Sequence, residues 1–125
     1  MANNPLGQYP VRSPGRNPTV ASFQFDTANT AAPDGLVDPC GIVNGAGVRT
    51  SQGLLTFTLN DRWTVLHATC NLETTATYLA QVADVVRGLS AANTVVVTTL
   101  DEALAAQDTN NLTVNVVVVG YPSAT

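Results

Sequence analysis

Apolar and polar residues alternate with period two along most of this chain, and that alternation predicts β-strands. Val20-Ala21-Ser22-Phe23-Gln24-Phe25-Asp26 puts Phe23 and Phe25 on one side of a first strand. After Val48-Arg49-Thr50 and a turn at Gly53, Leu55, Phe57 and Leu59 share one face, opposite Leu54, Thr56 and Thr58. Asn60-Asp61 reads as a turn into a further strand, Trp63 to Leu72. There Leu66, Ala68, Cys70 and Leu72 face one way, and Trp63, Val65, His67 and Thr69 the other. The two strands read together as a hairpin at the centre of a sheet.

Thr77 to Val86 fits two periods. Tyr78, Leu79, Val82, Val85 and Val86 make a helical stripe, while Gln81 to Val85 alternates like a strand, and the β character of the surroundings favours the strand. Asn93 to Thr99 and Leu112 to Val119 are dense in β-branched residues and read as strands. Between them Thr99-Leu100-Asp101-Glu102 has capping-box spacing and predicts a turn or two of helix. Asp108 to Asn111 is a turn before the last strand, and Gly120-Tyr121-Pro122 ends it. Val114, Val116 and Val118 lie on one side of that strand and Val117 and Val119 on the other, so it must be central or covered by a neighbouring subunit.

Two stretches escape the pattern. Met1 to Pro18 carries Pro5, Pro10, Pro14 and Pro18, which exclude a helix or a central strand and predict an extended arm. Thr27 to Gly47, with Pro33, Asp34-Gly35, Pro39 and three further glycines, reads as a long loop around a short piece at Ile42-Val43. Long loops in compact domains often carry binding, which makes this one a candidate for intersubunit contact. The expectation is one all-β domain over residues 19–125, an antiparallel β-sandwich of jelly-roll-like character with roughly seven or eight strands, preceded by the arm 1–18.

The 125 residues allow a single modest core, and the apolar content is mainly Val, Leu and Ala with only 6% aromatic residues, which favours packed sheet layers over a large ligand cavity. Charge is sparse at 11%, lysine is absent, and the formal net charge is −4. Five scattered arginines do not make a nucleic-acid footprint, and the acidic balance argues against an anionic membrane surface. The N-terminus shows no basic start followed by an apolar stretch, and no apolar run approaches the ~20 residues of a membrane span. The expectation is synthesis in a cytoplasm with Cys40 and Cys70 reduced and serving as small apolar fillers.

Candidate chemistry is thin. A catalytic scheme would have to begin at His67, which beside Val65 and Thr69 reads instead as a hydrogen-bonded structural residue. Asp34, Asp38, Asp101, Glu102 and Asp108 would have to converge to act as paired carboxylates, and Asp34 to Asp38 lacks the dense oxygen ligands of a calcium loop. Trp63 reads as a core or interface plug, with a sugar-stacking platform as the other possibility. Arg62 either solvates its turn with Asp61 or clamps a carboxylate across a subunit boundary. No cofactor or metal is expected.

Val20-Ala21-Ser22-Phe23, Val48-Arg49-Thr50, Gly53 to Leu59, Asp61-Arg62-Trp63 and the closing run Asn110 to Val119 become informative in their order. From Thr19 to Gly120 the chain resembles small virion structural proteins of tailed bacteriophages, in which a strand, a glycine-rich segment, a Gly-x-Tyr-Thr-Val-Thr-Leu strand and an Asn-rich turn into a last valine strand recur. Leu55 and Phe57 stand where that family tends to place tyrosine and valine, and the Thr27 to Gly47 loop is long. The resemblance implies a non-enzymatic capsid decoration, or cement, protein on the outside of the virion head. It would bind the major capsid protein as a homo-oligomer, with a trimer expected, and bridge neighbouring subunits. Expected contact residues are Pro5, Tyr9, Pro10, Arg12 and Arg16 of the arm, Asp34 and Asp38 of the loop, and Arg62 and Trp63. A tail-fibre or adaptor protein binding a host surface, or a carbohydrate-binding module, is the alternative.

Overall fold

The computed structural model describes residues 18–60, 63–73, 78–86 and 93–122. The arm residues Pro5, Tyr9, Pro10, Arg12 and Arg16 and the turn pair Asp61 and Arg62 lie outside the described residues. Eight strands are described, β1 (Thr19–Ala28), β2 (Asp34–Val37), β3 (Val48–Ser51), β4 (Leu54–Thr58), β5 (Trp63–Leu72), β6 (Leu79–Val86), β7 (Thr94–Leu100) and β8 (Asn110–Pro122). They form two antiparallel sheets, ordered β2-β1-β8-β5 and β3-β4-β7-β6. The chain is thus the all-β antiparallel sandwich that its alternation predicts.

The inner faces meet through the residues that alternation put there. Phe23 and Phe25 of β1, Val65 of β5, and Val114, Val116 and Val118 of β8 face Leu55 and Phe57 of β4 and Val95 and Val97 of β7, all at 5% exposure or less. The Phe57 ring is the hinge pin of this packing, with ring centroids 5.1 Å from Phe23 and 4.5 Å from Phe25 in tilted geometry. β8 is central, paired along its length with β1 on one side and β5 on the other, which accounts for its continuous valine run.

Several local expectations give way to the sandwich. β4 and β5 do not form a hairpin: they belong to opposite sheets, β4 between β3 and β7 and β5 at the edge beside β8. The amide of Leu59 donates to the Asn93 carbonyl at 2.8 Å and Asn93 Nδ2 donates to the Trp63 carbonyl at 2.6 Å, so buried Asn93 is bonded to both Leu59 and Trp63. The face assignment of β5 also changes along its length. The register slips between Val65 and His67, leaving Val65 fully buried, Leu66 exposed, and Ala68, Cys70 and Leu72 turned toward the core.

No helix forms at Thr99 to Leu104. Thr99 lies in β7 with its hydroxyl donating to the Gln107 carbonyl at 2.6 Å, while Asp101 Oδ1 accepts from the amides of Ala103 and Ala105 and closes a tight turn. The long Thr27 to Gly47 loop likewise contains β2, paired with β1, and a bridge from Val43 to Leu59. Residues 79–86 are the strand β6. At the end of the first sheet Gly120 is buried where β5 passes, with the Thr64 carbonyl and the Trp63 ring occupying the space that a side chain would need.

Candidate interaction surface

Cross-strand register makes the outward face of the β2-β1-β8-β5 sheet readable row by row, because residues directly opposite one another share a face. One row is Val20, Val119 and His67; the next is Ser22, Val117 and Thr69; then come Gln24, Asn115 and Asn71. The first two rows are rich in valine on a face that no described strand covers. Val20 is 65% exposed and Val117 37%, Leu66 at the β5 irregularity is also 37% exposed, and Val37 on β2 is 51% exposed.

Toward the β2 edge the same face dips into a shallow groove of about 250 Å³. Ser22, Gln24, Val37, Pro39, Asn115 and Val117 line it. The opposite sheet presents a different outer surface. There Thr56, Thr58 and Thr94 stand among Gln81 and Asp84, and the Thr50 and Thr56 hydroxyls pair at 3.3 Å. Val48 and Leu79 on the edge strands of that sheet are 57% and 52% exposed, so both outer faces carry apolar side chains. What sets the first sheet apart is an uncharged valine stripe along its central strands β1 and β8.

His67 sits exposed in this stripe, paired with Val119. Trp63 is half-buried and packs against the core cluster. Asp34 opens β2, exposed and paired with Asp26. Asp38 is a clasp for its own loop, its two carboxylate oxygens accepting from the amides of Ile42 at 3.1 Å and Val43 at 2.8 Å. That use of both oxygens holds Ile42 in the core.

The carboxylates do not converge. Asp101 is spent on its turn, Asp38 on its loop, and Asp108 on an arginine. Among the described residues no group of three or more His, Cys, Asp and Glu side chains comes together to hold a metal ion. Nor does any described helix have the length and apolarity to cross a membrane.

The strongest polar contact was not legible from the sequence, since its partners stand 59 positions apart. Arg49 on β3 grips Asp108 in the connection from β7 to β8 with two bonds of 2.9 and 2.7 Å, and the Gly53 amide adds a third to the same carboxylate at 2.9 Å. The Arg49 guanidinium, helped by that amide, holds the Asp108 carboxyl below its ordinary range, and Asp108 raises Arg49 in return. Both cysteines are free thiols. Cys70 faces inward and burial pushes it up to about 11, whereas Cys40 is exposed and fills no apolar space. The valine stripe had a partial signal in the two-sided run of β8, but only the pairing with β1 and β5 sets Val20 and His67 beside it.

No protein-family model matches this chain, and neither a curated protein nor a solved structure does.

Proposed function

We propose that this protein is a non-enzymatic capsid decoration protein, which docks on the outer surface of a tailed-phage head and bridges neighbouring capsid subunits. The observation that carries the reading is the uncharged valine stripe of Val20, Val117 and Val119 on the outside of a sheet whose other side already fills the core. The resemblance of Thr19 to Gly120 to small phage virion proteins supplies the identity of the partner, the major capsid protein.

Cementing requires no chemistry. A protein that binds surface offered only by adjacent subunits in an assembled shell stabilises that shell by mass action, and each square ångström of apolar area removed from water contributes roughly 25 cal/mol. The stripe supplies the apolar centre of such a contact. Ser22, Gln24, Thr69 and Asn115 around it supply a polar rim that costs little to expose before binding. The arm Met1 to Pro18 and the groove-side residues Val37 and Pro39 extend the footprint, and three copies around a local three-fold would place stripes against several subunits at once.

The test is to mix the purified protein with undecorated, expanded capsids of the cognate phage, sediment the shells and count the copies retained. Saturable binding at a symmetric stoichiometry, with a shell that withstands higher temperature, is the expected result. Absence of retention overturns the proposal and moves the weight to a tail-fibre or adaptor protein that meets a host surface.

A further inference from the structure

Asn44-Gly45 is the one Asn-Gly step in the chain, and it lies at an exposed corner between the Val43 to Leu59 bridge and β3. Closure of an asparagine side chain onto the following backbone nitrogen needs three conditions. The side-chain amide must be reachable, the next residue must offer no steric block, and its N–H must not be held by an acceptor. Asn44, Gly45 and Ala46 are all exposed. Gly45 has φ +79°, with nothing within 4 Å of the position a Cβ would take. The Asn44 amide itself donates to the Thr58 carbonyl at 2.8 Å, but among the described residues nothing accepts from the Gly45 N–H.

We infer that Asn44 is a site of spontaneous covalent modification, in which the fold leaves the Gly45 nitrogen free to attack the Asn44 side chain. The Gly45 nitrogen loses its proton and forms a bond to Cγ of Asn44. The bond from Cγ to the side-chain nitrogen breaks, and that nitrogen leaves with the proton as ammonia. Water then opens the resulting five-membered imide at one carbonyl or the other, giving aspartate or its β-linked isomer with no change in oxidation state. The chain becomes one charge more negative, passing from a formal −4 to −5.

The β-linked product also inserts a carbon into a backbone whose consecutive Cα atoms are otherwise about 3.8 Å apart. Both flanks of the corner are pinned, Asn44 by its bond to Thr58 and Gly47 by burial against Phe57 and Pro33. The extra length must therefore bulge outward at Gly45 and Ala46, which marks aged molecules with a new shape and a new charge at one corner.

Asp34-Gly35 is the internal comparator, because an aspartate reaches the same imide by losing water. Gly35 lies within β2 against Asp26, whose Oδ2 would come within 2.6 Å of an added Cβ. Other asparagines lack the glycine: Asn29 precedes Thr30, Asn71 and Asn115 are in strands, and Asn93 is buried.

The experiment ages the full folded chain at mildly alkaline pH and warm temperature, then maps peptides by mass and by an isoaspartate assay. Expected are ammonia release, a gain of one mass unit confined first to the peptide bearing Asn44, and a more acidic species that Asn44→Gln abolishes. A folded chain in which Asn44 is modified no sooner than Asn29, Asn71 or Asn115 overturns the inference. So does a chain in which Asn44 changes only after unfolding in urea, or in which position 34 isomerises first.

Discussion

The Arg49 guanidinium and the Asp108 carboxylate meet through two parallel bonds, Nε to Oδ1 at 2.9 Å and Nη2 to Oδ2 at 2.7 Å. Arg49 belongs to an edge strand of one sheet, and Asp108 to the connection that delivers β8 to the other. The pair thus latches the two layers at their open end, with the fork geometry that lysine cannot supply. Asp108→Asn is expected to lower the melting temperature by several degrees, and Arg49→Lys by less. A double-mutant cycle read by thermal unfolding should return a favourable coupling. Additive effects would mean that the contact is ornamental.

The same carboxylate makes stability depend on acid pH. Asp108 has a folded pKa below its ordinary 3.8, so its contribution is fully present above that value and is lost as pH falls through the lower folded value. Urea midpoints measured downward from pH 5 should fall more steeply for the parent chain than for Asp108→Asn.

Cys70 gives the opposite dependence at alkaline pH. Its folded pKa of about 11 lies above the ordinary 9.0, so the folded state resists forming the thiolate. Stability from this group is complete below pH 9 and declines as pH rises toward 11. At neutral pH a thiol reagent should label Cys40 at once and Cys70 only on the timescale of unfolding. Equal rates would contradict the inward placement of Cys70.

Phe57 contacts both aromatic residues of β1 and is completely buried. Phe57→Ala should cost about 3–5 kcal/mol, enough to unfold much of the population at physiological temperature. Denaturant titration monitored by circular dichroism checks it, and a loss under about 1 kcal/mol would show that the two sheets repack around the vacancy.

Thr109 is 5% exposed, and its hydroxyl finds no hydrogen-bond partner among the described residues. A buried polar group without a partner is a cost that an apolar isostere removes, so Thr109→Val should raise stability by about 1 kcal/mol. A decrease in the midpoint would reveal a partner, such as an enclosed water.

Val117→Glu separates folding from docking. The side chain faces outward on β8, so the unfolding midpoint should stay within about 0.5 kcal/mol of the parent, while retention on expanded capsids falls sharply. Retention at the parent level would remove the valine stripe from the proposed interface.

Alternation was enough to read the inward residues of β1, β4 and β8, because whether Phe23, Phe57 or Val116 is buried depends on the two-residue period of its own strand. Which strand lies beside which is a different kind of fact. Asn60-Asp61 reads as a hairpin turn, yet β4 and β5 lie in opposite sheets, β4 between β3 and β7 and β5 beside β8. The inward face of β5 changes parity because it must follow β8 past Gly120. Arg49 and Asp108, and Val20 with Val119 and His67, are neighbours only through pairings that span most of the chain. Local pattern sets what each strand wants to bury, while long-range pairing sets what it finally touches, and both the latch and the proposed docking face depend on the second.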